Sequence, residues 1–355
     1  MAFAQPPRVH EYLDWLFLLS AKQTAYGTAL VGNTLIDRVR GVQGFAPVDI
    51  QRGLQTDLRL TGREFSTGRI QTSADLRLAR TFEMSSELAG FFLSFACGSS
   101  TPTGEGDAKT HTIRYLAPAT EGIAVPVFTA YEQLWGEEAL QRLLPDLAVA
   151  SVTLSGRKQE LCRIVASLVG SGRYTPGAVS PPATDLVERK LHGGNVTVEY
   201  GARGAGADIT DRILEWEVIV SPALDEANGY MPNSGIYRGR MWQGVTRQVS
   251  ANLVLFADVE NTDVHDDWVG DNVCELKITI TGAVIGAGPA VHSVELLLPA
   301  FQASSAVIGE QDGKLVYRLS IAPENIIVDG DSTPDEPFQA IVINETAKYL
   351  QAPGA

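Results

Sequence analysis

Asp263, His265, Asp266, Asp267 and Asp271 bring metal-ligand residue types close together in the chain. Carboxylates and imidazole are ordinary donors to a divalent cation, but the run reads as a solvated acidic turn rather than a metal site. Two glycine runs raise the question of phosphate binding. Gly309-Glu310-Gln311-Asp312-Gly313-Lys314 is one residue short of a Gly-x-x-x-x-Gly-Lys loop and has the composition of a hairpin turn. Gly201-Ala202-Arg203-Gly204-Ala205-Gly206 lacks the strand-turn-helix setting of a nucleotide cradle and reads as linker. Serine, histidine and aspartate are all present, but no nucleophile elbow is. His111 and His292 hold matching positions in the two halves and read as structural strand residues. Nothing marks out the paired carboxylates that glycoside hydrolysis requires. Asn195-Val196-Thr197 and Asn344-Glu345-Thr346 fit the glycosylation pattern without a secretion signal to go with it. Neither catalysis nor a cofactor is expected.

The elements that would position these residues are mostly strands. Apolar and polar residues alternate at Ala74/Leu76/Leu78, Val152/Leu154, Val196/Val198/Tyr200 and Leu214/Trp216/Val218/Val220. The same alternation runs through Cys274/Leu276/Ile278/Ile280, Leu315/Tyr317/Leu319/Ile321 and Phe338/Ala340/Val342. Period-two patterning with one polar face marks antiparallel sheets. One helix is clear over Met84 to Cys97: Leu88, Phe91, Phe92 and Phe95 share a face, Ser85 or Ser86 caps it and Gly98 ends it. Tyr12 to Leu19 and Glu137 to Leu144 are shorter helix candidates, and the acidic run Asp258 to Trp268 a degenerate one.

The two halves repeat one another. Thr72-Ser73-Ala74-Asp75-Leu76-Arg77-Leu78 has its counterpart in Val249-Ser250-Ala251-Asn252-Leu253-Val254-Leu255, 177 residues on in a chain of 355. Gly/Arg-rich stretches precede both, and acidic runs follow both. The offset is 181 at His111 and His292 and 173 at Pro126 and Pro299. Such a period is far above the ~20–50 residues of a solenoid and points to a duplicated domain. The boundaries expected are an N-terminal arm over 1–48, a first module over 49–175, a linker with one strand over 176–209 and a second module over 210–355. Ser221 to Thr246, rich in Gly, Pro and Asn, is a loop of functional length, suited to reaching a neighbouring subunit. Its contact candidates are Asn228, Tyr230, Met231, Tyr237, Arg238, Arg240 and Trp242; Glu105, Asp107 and Lys109 form a second set in the Gly104 to Lys109 turn.

Composition excludes several classes. With 42 acidic against 28 basic residues the chain carries −14, the wrong sign for a nucleic-acid reader. Residues 1–177 hold 17 of each sign and 178–355 hold 25 against 11, so the second half carries the whole excess. Such a balance fits ordinary solubility and is also compatible with a surface that DNA slides past without sticking. Cys97, Cys162 and Cys274 are far apart among apolar neighbours and read as core residues. No apolar stretch approaches the ~18 residues of a membrane span, and the N-terminus lacks signal-peptide organisation.

The order of these phrases resembles the tail tube proteins of long-tailed bacteriophages. The resemblance rests on the Ser73-Ala74-Asp75-Leu76 strand, the helix ending Phe91-Phe92-Leu93-Ser94-Phe95-Ala96-Cys97-Gly98, and Lys109-Thr110-His111-Thr112-Ile113. It extends to Val125-Pro126-Val127-Phe128-Thr129-Ala130-Tyr131-Glu132, to Leu147 through Ser155, to Tyr26-Gly27-Thr28-Ala29-Leu30 and to Arg240 through Thr246. It implies a mainly-β fold of two tandem β-sandwich or barrel modules, each with one flanking helix. It further implies rings whose inner strands merge into a barrel around a DNA-wide lumen, stacked into a tube in the virion tail and assembled in the host bacterial cytoplasm. Ordinary members carry one module and form hexamers, so a duplicated chain implies a homotrimeric, pseudo-hexameric ring. The partners implied are further copies of the chain, a tape-measure protein, a tail terminator and distal tail or baseplate proteins. A non-stacking baseplate ring, or the tube of a phage-derived secretion apparatus, is the alternative within the same fold.

Overall fold

A computed structural model describes residues 15–30, 35–39, 50–56, 69–104, 106–115, 125–134, 141–176, 189–225, 229–244, 247–257, 263–327 and 337–350. In chain order the first half runs β1 (Trp15–Lys22), β2 (Leu35–Val39), β3 (Ile50–Thr56), β4 (Arg69–Glu83), α1 (Ser86–Cys97), β5 (Thr101–Thr103) and β6 (Lys109–Arg114). It continues with β7 (Phe128–Leu134), β8 (Arg142–Arg157), β9 (Arg163–Gly170) and β10 (Thr175–Pro176). Then come β11 (Val196–Ala202), β12 (Ala207–Asp208), β13 (Ile213–Ser221), β14 (Leu224–Asp225), β15 (Trp242–Gln243), β16 (Gln248–Phe256) and α2 (Asp263–Val269). β17 (Cys274–Val284), β18 (Val291–Phe301), β19 (Ser305–Gln311), β20 (Lys314–Ile321) and β21 (Gln339–Asn344) complete the order. The protein is mainly β, and every strand pairing among the described residues is antiparallel.

The 12-stranded sheet branches at β8. The C-terminal half of β8 lies between β9 and β13, its N-terminal half between β7 and β10. One row therefore reads β3-β4-β9-β8-β13-β16-β20-β19, and a side arm reads β8-β7-β1-β2. The branch falls at a bend where Asp146 takes φ 62° and the register shifts between Val149 and Ser151. Asp146 is buried, and its carboxylate accepts from Gln23 Nε2 (3.0 Å), the Gly27 N–H (2.6 Å) and Ser171 Oγ (2.8 Å). Gln23 Oε1 in turn accepts from the Asp146 N–H and from Thr129 Oγ1. A buried carboxylate is tolerated when its lone pairs are filled in this way.

The seven-stranded sheet has the order β12-β11-β17-β18-β21-β6-β5, so strands from both halves of the chain share it. Helix α1 lies between the two sheets, against β8 and β13 on one side and β6, β18 and β21 on the other. All twelve of its residues are buried, as its nearly continuous apolar sequence requires. The Ser85 side chain caps it at the Leu88 N–H, and Gly98 closes it at φ 80°. Phe82, Phe91, Phe92, Phe95 and Phe128 pack around it with ring centroids 4.6–5.4 Å apart.

Four local readings differ from this. Residues 15–19 of the expected Tyr12 to Leu19 helix belong to strand β1, and 142–144 of the expected Glu137 to Leu144 helix open β8. In both, an apolar run is too short for its period to be diagnostic, and neighbouring strands decide. Leu315, expected in the core, is exposed, whereas Val316 and Tyr317 are both buried. At β13 a register shift between Ile213 and Glu215 turns Ile213 inward and leaves Leu214 only half-buried. The acidic run does form a helix, α2 over Asp263–Val269, of which only Val264 is buried.

Gly90 faces the ring of the buried Tyr349, where any Cβ would overlap. Gly90→Val is expected to cost about 1–3 kcal/mol through overpacking, read as a lowered urea midpoint.

Candidate assembly interface

The loop between β13 and β16 begins as a two-residue ribbon: Leu224 pairs with Gln243 and Asp225 with Trp242. Its described tip does not project but lies back on the chain's own sheet. β9 pairs with β4 only from Leu76 onward, which leaves the preceding stretch of β4 open on that side. Loop residues fill the gap: the Ala74 N–H donates to Ile236 O (2.7 Å), Tyr230 Oη donates to Ala74 O (3.1 Å) and the Arg238 N–H donates to Ser171 O (3.1 Å).

Arg238, 2% exposed, locks this arrangement. It donates to Gly170 O at 3.0 Å, pairs with Asp75 at 3.1 Å and stacks over Tyr230 at 5.3 Å. Met241 is buried beside Val125, Val127, Ala148 and Val169. Of the contact candidates in this loop, Arg238 is therefore spent within its own chain, Met231 and Tyr237 are half-buried, and Tyr230 and Arg240 are exposed. Trp242 is placed by its backbone pairing alone, and Asn228 lies outside the described residues.

The Gly104 to Lys109 turn joins β5 to β6 at the edge of the other sheet. Gly104 and Gly106 take φ 97° and 74°, and Lys109 Nζ donates to Gly104 O (3.1 Å). Asp107 is exposed near the Gly286 turn; Glu105 lies outside the described residues. The two loops are not brought together. The turn sits at the Lys109 end of β6, whereas Tyr115, just past the other end, donates to Ser221 O and Gln248 O at the root of the long loop. Six residues of strand separate those ends by ~20 Å.

No metal-holding group of three or more His, Cys, Asp or Glu occurs among the described residues. Asp263 is engaged by Arg212 (3.1 Å) and Asp267 by Asn272 (2.8 Å). Gly201 to Gly206 turns β11 into β12, and Asp312-Gly313 turns β19 into β20 at φ 52° and 75°, the two-residue hairpin chemistry that the residue types favour. His292 sits 2.9 Å from Ser86 Oγ and 3.2 Å from Glu87 Oε1, but both meet the same ring nitrogen and the group is buried at the start of α1. A relay needs one partner on each nitrogen. His111, on the opposite side of β21, donates from Nε2 to Thr346 O (2.7 Å).

One surface escaped the sequence reading. Val307, Ile308 and Leu315 of the β19–β20 hairpin are 56%, 54% and 64% exposed. The adjoining α2 exposes Trp268 and Val269 as well. The signal was available in Val307-Ile308, two consecutive apolar residues that cannot both face one core. The chain matches no protein-family model and no curated protein sequence.

Two outcomes test this geometry. Arg238→Ala is expected to cost about 1.5–3 kcal/mol, the range for hydrogen bonds to a charged group, and to speed tryptic cleavage after Arg240. Burial pushes the His111 ring below its ordinary value of 6.5, partly offset by the Thr346 bond. The folded chain therefore favours neutral His111, and its contribution is present above that pH and declines as pH falls through it. The decline is at most about 1.4 kcal/mol per pH unit; His111→Gln should flatten that part of the urea-midpoint profile.

Proposed function

We propose that the chain is a structural subunit that joins copies of itself into rings, which stack into a tube of the long-tailed phage kind. The observation that carries this reading is the order of the long row of strands. Its first four, β3-β4-β9-β8, and its last four, β13-β16-β20-β19, follow the same scheme, with the chain visiting positions one, two, four and three in turn. The repeated sequence lies on matching strands, β4 and β16, with Ala74, Leu76 and Leu78 facing the core as Ala251, Leu253 and Leu255 do. A helix follows each strand, α1 and α2, and the matched histidines occur on β6 and β18.

This supports the duplicated form and, with it, a pseudo-hexameric ring of three chains. The exposed Gly104 to Lys109 turn at the edge of the smaller sheet suits a contact between stacked rings. A charge of −14 suits a channel through which DNA passes without specific binding. The partners on this reading are further copies, a tape-measure protein, a tail terminator and distal tail proteins, in a virion tail assembled in the bacterial cytoplasm. No enzymatic step is assigned.

Electron microscopy of the purified chain, with mass photometry, tests the proposal. Hollow tubes with a regular axial repeat and three chains per ring are the expected result. Six chains per ring would remove the trimer, rings that never stack would favour the baseplate alternative, and a permanent monomer would end the reading.

A further inference from the structure

The row β3-β4-β9-β8-β13-β16-β20-β19 contains one joint between its two similar halves, the pairing of β8 with β13. That joint runs antiparallel from Glu215 opposite Arg157 to Val220 opposite Val152, and Arg157 bridges to Glu215 across it at 2.9 Å. β13 holds the first position of its half and β8 the fourth. The same two positions recur, with no strand on their outer sides among the described residues, at the ends of the row: β3 is a first-position strand and β19 a fourth-position strand.

We infer that β19 of one chain pairs antiparallel with β3 of a second copy, repeating between chains the β8–β13 joint within the chain. This rests on the ring-forming reading above and specifies the surface that carries it. Four observations converge. The row has eight strands, an even number, so alternation of direction continues unbroken into the next copy's β3. The two free strands have the same length, seven residues each. Exposed Arg52 on β3 and exposed Glu310 on β19 offer opposite charges, as Arg157 and Glu215 do at the internal joint. The β19 hairpin also exposes Val307, Ile308 and Leu315, an apolar group on an open edge of the kind folded chains otherwise cover or charge. The contact uses two different edges, so it propagates head to tail and must close into a ring or run on as a filament.

The test uses two edge-blocked full-length variants. The first is Val307→Lys with Ile308→Lys, both at exposed positions. The second carries proline at β3, Gln51→Pro or Arg52→Pro. Neighbouring N–H groups face opposite sides of a strand, so one of the two leaves the β3–β4 ladder intact; the variant with native circular dichroism and unfolding midpoint is used. Each variant alone is expected to stay monomeric where the unaltered chain assembles, with at least a tenfold rise in the concentration needed. Mixed one to one, they should form a dimer and nothing larger, because one sound β19 and one sound β3 remain. A β3-blocked variant that dimerises alone would overturn the inference in favour of β19–β19 pairing. Rings that persist in either variant would overturn this joint and leave the ring reading standing. An unaltered chain that stays monomeric throughout would overturn both.

Discussion

The bend in β8 at Asp146 is the constraint on which the rest of the fold depends. One strand of sixteen residues serves two sets of neighbours because it changes direction part-way, and the bend places a carboxylate where water does not reach. Three donors from two segments distant in sequence, Gln23 and Gly27 from one and Ser171 from the other, satisfy that carboxylate. The same contacts tie the turn after β1 and the end of β9 to the branch point. A half-satisfied buried network is worse than an apolar one, so these segments are held together or the branch is lost with them.

The branch matters because it frees the C-terminal half of β8 to take β9 on one side and β13 on the other. Through that single pairing the two similar halves become one continuous row. Helix α1 does the complementary task across the layers. Apolar on every face, it has no surface suited to water and lies between the two sheets, with Ser86, Glu87 and His292 meeting at its N-terminal end. A carboxylate there also lies at the favourable end of the helix dipole. Helix α2, placed alike in the chain order, buries only Val264 and lies by the open edge instead. The two halves are thus alike in strand order and unlike in their helices.

That inequality bears on the proposed assembly. A row ending in two different open edges cannot satisfy itself by a two-fold contact without leaving its other edge bare. The long loop, expected as an arm, instead seals the stretch of β4 that β9 leaves uncovered. The open backbone that remains among the described residues of this row is concentrated at its ends.

Much of the local structure was legible in the sequence. The alternation along Cys274 to Ile280 and Phe338 to Val342, the Ser85 and Gly98 ends of α1 and the Asp312-Gly313 turn all express preferences of a few neighbouring residues and need no distant partner. The repeat at Ala74 and Ala251 also pointed to a matched pair of strands. What stayed hidden depends on partners distant in sequence. Whether the apolar run around Phe17 became helix or strand rested on β2 and β7; whether Leu315 lay inside rested on how far the β20 hairpin extends past the core. Arg238 looked like a contact residue because a charged side chain in a long loop ordinarily faces water, and only the fold supplied Asp75 and the Gly170 carbonyl. The order of strands and the identity of the open edges were decided by the tertiary structure alone, because a strand's own sequence favours its pleat and its buried face but does not name its neighbour.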